Sequence, residues 1–320
     1  MIDNIIMIKK NLSDAEIKQI VKTSRLLEQS VNGLKAYNNG TTKNFDGGFF
    51  IKIETDKTLK ITGSLHKYYS FLNTKSLTNF DSFTMHQAKE TIIKMIENIG
   101  FEPENTNINY YEVGLNLAVN IEPKKILQNI CSIGTIENTK EMFYNPKYKH
   151  KSIITTEFHR DFRVYHKAYD KIFEMNDKKK QPPTDAKIIR IETTNRRVEK
   201  ILLLDFFKNE NLQIIQNRFF SNWDKLNFYN DIDAPIGTHK SKIELAKEII
   251  YKGKNEVLIK YLEQYNNNVL SIKMYYTIKR FIENWENEKF KYKSKKTEIF
   301  TYWETVYNTE KQIYNKNKSN

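Results

Sequence analysis

From Asn109 to Val119 the chain alternates without a break. Tyr111, Val113, Leu115, Leu117 and Val119 fall on one side, and Tyr110, Glu112, Gly114, Asn116 and Ala118 on the other. Successive side chains of a strand point to opposite faces, so the first set meets a core and the second lies on the far face of a sheet. A mid-strand carboxylate beside a glycine that opens space is unusual for a plain surface. It suits a lysine partner or a divalent metal, whose hard character calls for carboxylate oxygens.

Two later stretches alternate in the same way. Phe162 and Val164 interleave with Arg163, Tyr165 and Lys167, and Lys187–Thr193 sets Arg190 and Glu192 together on its polar side. A phenol flanked by two cations on an exposed sheet face is placed to meet a phosphate. Aromatic residues also suit half-buried sheets for packing alone. With 19 Tyr in the chain, a Tyr beside a Lys counts only when other segments supply partners. Ala168-Tyr169-Asp170-Lys171 is expected to leave the strand, because Ala and Asp are poor strand formers. Tyr165 is therefore the candidate, with Tyr169 as its competitor.

The remaining N-terminal pattern supplies more strands and a few helices. Asn4–Ile8 reads as a strand, and Ser13-Asp14-Ala15-Glu16 as a capping box opening a helix to about Leu27. Phe49–Glu54 and Thr58–Tyr69 read as a strand pair. In the second, Lys60, Thr62, Ser64 and His66 face outward, which puts a hydroxyl and an imidazole side by side. Thr84-Met85-His86-Gln87 caps a helix running to Ile99, where Gly100 stops it, and Ile92, Met95, Ile96 and Ile99 form its core stripe. Pro123–Ile130 reads as a short helix and Gly134–Lys151 as a loop. Ile153–Phe158 and Phe162–Lys167 read as a hairpin, and Lys178–Pro183 as a basic, proline-containing insertion.

After about Val198 helical spacing replaces alternation. The candidate helices are Val198–Phe207, Leu212–Phe228, Ser241–Tyr251, Glu256–Tyr265 and Leu270–Asn287. From Lys289 onward the chain is rich in Lys and Tyr. The expected organisation is an α+β region over 1–200, a helical region over 201–288 and a basic tail over 289–320. The first region is expected to be an antiparallel-rich sheet with helices on one face and an open catalytic face bearing His66, Glu112, Tyr165, Lys167 and Glu192.

Charge narrows the partner. A net charge of +13 favours polyanions, because neutralised phosphates release condensed counterions. Nucleic acid is the expected partner, ahead of an anionic membrane surface. The single cysteine, Cys131, excludes an intrachain disulfide and a cysteine-rich zinc site, which fits a reducing cytoplasm. The N-terminal segment carries Asp3 and no long apolar run, so neither a signal peptide nor a membrane span is expected.

Gly63-Ser64-Leu65-His66-Lys67, Glu112-Val113-Gly114-Leu115-Asn116, Tyr165-His166-Lys167 and Ile189-Arg190-Ile191-Glu192 occur in that order. This order resembles the phage and plasmid gene II/X family of rolling-circle replication initiators, over roughly residues 45 to 230. The resemblance implies site-specific nicking and strand joining at a phage or plasmid origin, in the cytoplasm of a bacterial host. It implies Tyr165 as nucleophile with Lys167 as partner, and Mg²⁺ or Mn²⁺ held by Glu112 and Glu192. His66, Lys67, Arg163 and Arg190 would then contact DNA, and host helicase and polymerase would be further partners. The chain lacks the His-hydrophobic-His pair of relaxase-type initiators. Two other classes stay open: a non-enzymatic DNA-binding protein, and a metal-dependent nuclease that uses water.

Overall fold

The computed structural model describes residues 1–40, 48–135, 139–152, 163–178 and 185–316. It falls into two compact units, Met1–Asn227 with Trp303–Asn320, and Phe228–Tyr302.

The first unit is mixed α+β. Its strands are β1 (Ile2–Lys9), β2 (Leu27–Val31), β3 (Leu34–Asn38), β4 (Phe50–Ile53), β5 (Leu59–Ser64), β6 (Thr106–Ala118), β7 (Ile130–Ile133), β8 (Lys140–Glu141), β9 (Phe143–Asn145), β10 (His150–Ser152), β11 (Val164–Asp170), β12 (Ile188–Leu202) and β13 (Leu226–Phe228). Its helices are α1 (Asp14–Thr23), α2 (Leu65–Thr74), α3 (Met85–Ile99), α4 (Pro123–Asn129), α5 (Lys171–Asp177), α6 (Leu203–Phe206) and α7 (Asn209–Trp223). Among the described residues ten strands form one sheet in the order β2-β3-β4-β5-β1-β6-β12-β11-β10-β9. Every neighbouring pair in it is antiparallel.

One face of this sheet is the core. Ile5, Met7, Ile61, Val113, Leu115, Leu117, Ile189 and Ile191 are buried there, at one-residue alternation along their strands. Helices cover it: Phe206 of α6 meets Tyr111 edge-on, and Trp223 of α7 donates its indole N–H to Thr193 at 3.0 Å. His166 lies on this core side, bonded to Thr193 and edge-on to Trp223. The alternation of β6 is as the sequence predicts.

Several boundaries differ from the sequence reading. Helix α1 ends at Thr23, because Arg25 takes a left-handed conformation (φ 50°) and turns the chain into β2. β2 and β3 form a hairpin around Asn32 (φ 51°) and Gly33 (φ 76°), the pair of positive angles that a two-residue hairpin turn requires. The expected strand Thr58–Tyr69 stops at Ser64, whose side chain accepts from the Lys67 N–H and caps α2. His66 is thus on the first turn of a helix, not on an outward strand face. β11 does not end before Tyr169. Tyr169 pairs with Arg190 and Asp170 with Ile189, after which Asp170 caps α5. β12 continues past Val198 to Leu202, so the expected helix there shrinks to α6. The expected loop before Lys151 contains β8, β9 and β10. Most of the partner strand Ile153–Phe158 and insertion Lys178–Pro183 lies outside the described residues; β11 pairs with β10.

The second unit has the strand pair β14 (Asp231–Asp233) and β15 (Lys293–Lys295), with α8 (Lys240–Lys252), α9 (Lys254–Asn266), α10 (Ile272–Glu283) and α11 (Trp285–Glu288). Ile232, Leu245, Ala246, Ile249, Val257, Ile282, Trp285 and Tyr292 form its core. His239 caps α8 by accepting from the Ser241 N–H, so the helix begins one residue before the expected Ser241–Tyr251.

The divisions at 200 and 288 are not where the contacts fall. The last helix, α12 (Glu298–Lys316), is not a loose basic tail: Trp303, Tyr307 and Tyr314 are buried in the first unit. Their four- and seven-residue spacing lays them on one side of the helix. The Tyr307 hydroxyl donates to the carbonyl of Phe220 at 3.2 Å, and Gln216 of α7 lies 3.5 Å from the Tyr314 carbonyl.

Candidate functional site

The sheet face opposite the core carries a polar array in three successive cross-strand rows. Glu112, Thr194 and Tyr165 make the first, Gly114, Glu192 and Lys167 the second, and Asn116, Arg190 and Tyr169 the third. Strand period puts all of them on one face, because each step along β6, β11 or β12 is two residues. Glu112, Tyr165 and Glu192 therefore share the face on which the sequence reading set them.

β1 adds two more groups. Ile2 pairs with Val113 and Ile5 with Tyr111, so β1 holds one extra residue against β6. A bulge of this kind re-aims side chains. Asp3 and Asn4, neighbours in sequence, both reach the array: Asp3 accepts from Arg190 at 2.5 Å, and Asn4 donates to Glu112.

Arg190 is the hub. Its guanidinium donates to Asp3, Glu192, the carbonyl of Asn79 (3.2 Å) and Asn116 Oδ1 (2.9 Å), and it is 1% exposed. Gly114 makes the room, since a Cβ there would overlap the guanidinium. Glu192 is 2% exposed and accepts from Arg190 and from the Tyr169 hydroxyl (2.9 Å). The Lys167 ammonium lies 2.6 Å from its other oxygen. Burial alone would raise this carboxyl, but Lys167 and Arg190 hold it at about 2. Burial would lower the Lys167 ammonium, but Glu192 and Glu112 drive it well above the usual lysine range. The Tyr169 phenol is pushed far up, by burial first and by Glu192 second.

Glu112 is also buried, with different company. It accepts from Asn4, Tyr110 and Thr194, all of them uncharged donors. Burial and the Glu112 charge push the Tyr110 phenol well above its ordinary value.

The face is not bare at its centre. The segment bearing Asn79 and Asp81 lies over it: Asn116 donates to the carbonyls of both, and Asn79 donates to Asp3 at 2.9 Å. His66 bonds Asp81 at 2.7 Å and stacks on Phe83 with ring centroids 4.6 Å apart. It is 2% exposed, and burial lowers its imidazole to about 4. His66 and Arg190 thus lie inside the protein, each bonded to a carboxylate, out of reach of a DNA backbone. Of the four residues expected to touch DNA, Lys67 is half-buried and Arg163 is exposed at the head of β11.

Tyr165 is half-buried at the Glu112 end of the array, and the Arg196 guanidinium lies 6.0 Å from its ring centroid. Lys167 retains 27% side-chain exposure, with its ammonium turned to Glu192 at 2.6 Å. Below Tyr169 a second buried cation, Lys171, pairs with Glu174 at 2.8 Å, and burial lowers its ammonium to about 8.

Sequence reasoning missed Asp3, Asn79 and Asp81. The last two sit in an irregular segment with no periodicity to read. Asp3 reaches the site only through the bulge. Among the described residues there is no cluster of three or more His, Cys, Asp or Glu able to hold a metal ion, and no helix is long and apolar enough to cross a membrane. No family model matches the chain, and the search of curated proteins found no match.

Proposed function

We propose that this chain is a DNA-nicking and strand-joining enzyme that initiates rolling-circle replication, with Tyr165 as nucleophile. The observation that carries the reading is the register of β6, β12 and β11. It lines up Glu112, Tyr165, Lys167, Tyr169, Arg190 and Glu192 on one face, with Lys167 and Tyr165 both half-buried and two residues apart on one strand.

The chemistry follows from these groups. The Tyr165 oxygen attacks the scissile phosphorus and gives up its phenolic proton to water. The P–O3′ bond breaks, the 3′ oxygen leaves as a hydroxyl that can prime synthesis, and the 5′ phosphate stays on the tyrosine. Joining is the reverse, with a 3′-hydroxyl attacking the phosphotyrosine. Lys167 and Arg196 place positive charge where the phenolate and the phosphorane develop negative charge. Tyr169 serves as a positioning residue, because its hydroxyl is spent on Glu192 and its proton is held tightly. Lys67 and Arg163 are the residues of this chain assigned to the DNA backbone.

A Mg²⁺ or Mn²⁺ ion, when bound, supplies Lewis-acid stabilisation of the charge on the phosphate. Glu112 does not fit such an ion: it is buried, and both its oxygens already accept, one from Asn4 and the other from Tyr110 and Thr194. Glu192 fits it poorly, since Lys167 and Arg190 already neutralise it, so its assigned role is to hold those cations. The full engagement of Glu192 also favours a second reading. In it the array only fixes the strands, and the protein binds DNA without cutting it.

The two readings separate on one assay. Incubation of the purified chain with single-stranded origin DNA and Mg²⁺ or Mn²⁺ gives an SDS-resistant protein–DNA adduct if the proposal holds. Cleavage without adduct makes water the nucleophile, and binding without cleavage makes the protein a non-enzymatic binder.

A further inference from the structure

We infer that α10 of the second unit is a duplex-reading helix, which lays its exposed side in the major groove of double-stranded DNA. The inference shares with the proposed function only the choice of DNA as partner.

Helix α10 is two-sided. Tyr275 and Ile282 are buried, Ile282 in the core of the unit. Lys273, Tyr276, Thr277 and Arg280 are exposed, and their spacing of three, four and seven residues sets them along one ridge. The single acid of the helix, Glu283, lies at its end, 3.8 Å from Lys279. The ridge thus presents two cations and a phenol with no carboxylate among them, and the Thr277 hydroxyl, which donates to the Lys273 carbonyl at 2.8 Å, adds an acceptor oxygen. Such donors read guanine edges and phosphates, while phenol and hydroxyl oxygens also accept from bases. The helix has 12 residues, a length of about 18 Å, enough to cross a major groove about 12 Å wide.

The helix is also held as a reader must be. Helices α9 and α10 are joined by residues 267–271, with Asn268 left-handed (φ 56°) and Ser271 capping α10. Tyr265 of α9 stacks on Tyr275 of α10 with centroids 4.7 Å apart and planes 13° from parallel, which fixes one helix against the other. A short turn thus joins two helices fixed against each other, the kind of connection from which the second helix of a helix-turn-helix module enters the groove.

Charge distribution singles out this half of the unit. Residues 272–296 hold eight Lys and Arg against three Glu, whereas residues 228–271 hold six of each sign. Complementarity to a polyanion begins where α10 begins. It continues into β15, where Lys293 is exposed beside Ser294 and suits the flanking backbone, while Lys295, also exposed, lies 3.7 Å from Asp233.

The test uses the full chain and two labelled probes, a mixed-sequence duplex longer than two helical turns and a single strand of the same length. The variant Lys273→Ala/Arg280→Ala changes exposed side chains only. We expect its duplex affinity to fall about tenfold or more, and the slope of log affinity against log salt to shrink by about 2. Single-strand binding stays unchanged. A duplex affinity and salt slope equal to those of the parent would overturn the inference. So would an Ile272→Ser/Met274→Ser variant that dissociates a dimer while the cation variant has no effect, since the exposed side would then seat a second copy. The nicking proposal can fail, with no adduct from the parent chain, and leave this titration readable.

Discussion

Tyr169 donates its hydroxyl to Glu192 at 2.9 Å from the adjacent strand, and Arg190, the residue opposite Tyr169, donates to the same carboxylate oxygen. A phenol tied in this way is a strut between β11 and β12. Tyr169→Phe removes one hydrogen bond to a buried charge, worth about 1.5–3 kcal/mol. The expected result is a lower urea midpoint with unchanged slope. An unchanged midpoint would mean that the bond contributes nothing.

Arg190 joins two buried carboxylates from different strands, Asp3 and Glu192. Removing one partner of a buried ion pair leaves uncompensated charge and costs about 3–5 kcal/mol. Arg190→Met should therefore destabilise by at least that range. Arg190→Lys should rescue little, because one ammonium cannot reach Asp3, Glu192 and Asn116 together. Gly114→Ala should also destabilise, since its methyl group would displace the guanidinium. Equilibrium unfolding of the three variants checks the set, and a fully stable Gly114→Ala would show that the guanidinium can move aside at no cost.

Acid should unfold the protein in two stages. His66 and His166 are both lowered by burial to about 4, from an ordinary 6.5. The unfolded chain binds more protons than the folded one between those values, so stability falls as pH drops from 6.5 to 4. Glu192 acts lower: its contribution is present above 4.5 and is lost as pH falls towards 2. Melting temperatures followed across this range should begin to fall well above the carboxylate range. His166→Phe should flatten the upper stage, and a parent profile flat down to pH 4.5 would contradict the assignment.

The C-terminal helix belongs to the fold. Trp303 and Tyr307 are buried, their rings stack 6.0 Å apart, and Tyr307 sits edge-on to Phe220 of α7. Trp303→Ala should cost about 3–5 kcal/mol. Removal of residues from 303 onward should yield an insoluble or protease-sensitive chain, not a soluble one with weaker DNA binding. Limited proteolysis of the truncated chain distinguishes the two outcomes.

What was legible in the sequence follows from period. Strand alternation has a period of two, so Arg190 and Glu192 could be set together on the polar side of their strand, and Glu112 and Tyr165 each on the polar side of theirs; the register that brings the three strands into line is a property of the sheet. Asp3 could not, because a one-residue bulge decides where it points. His66 was misplaced because Ser64 has the β-compatible neighbours of a strand residue, yet ends β5 as the cap of α2. The Asn32-Gly33 hairpin signal stood in plain sight between two short runs that are exposed along most of their length and so lack a core pattern. Burial of the array was hidden as well, since the segment around Asn79 that covers it has no repeat to read.

The central claim is that Tyr165, and not Tyr169, forms the bond to DNA. Tyr165→Phe deletes one oxygen and keeps the ring, so fold and DNA binding should persist. The measurement is the yield of SDS-resistant adduct on single-stranded origin DNA with Mg²⁺ or Mn²⁺, for the parent chain, Tyr165→Phe and Tyr169→Phe. The account predicts adduct from the parent, none from Tyr165→Phe, and adduct from Tyr169→Phe at temperatures where that variant stays folded. Full adduct from Tyr165→Phe with none from folded Tyr169→Phe would contradict it and move the nucleophile to the residue that leans on Glu192.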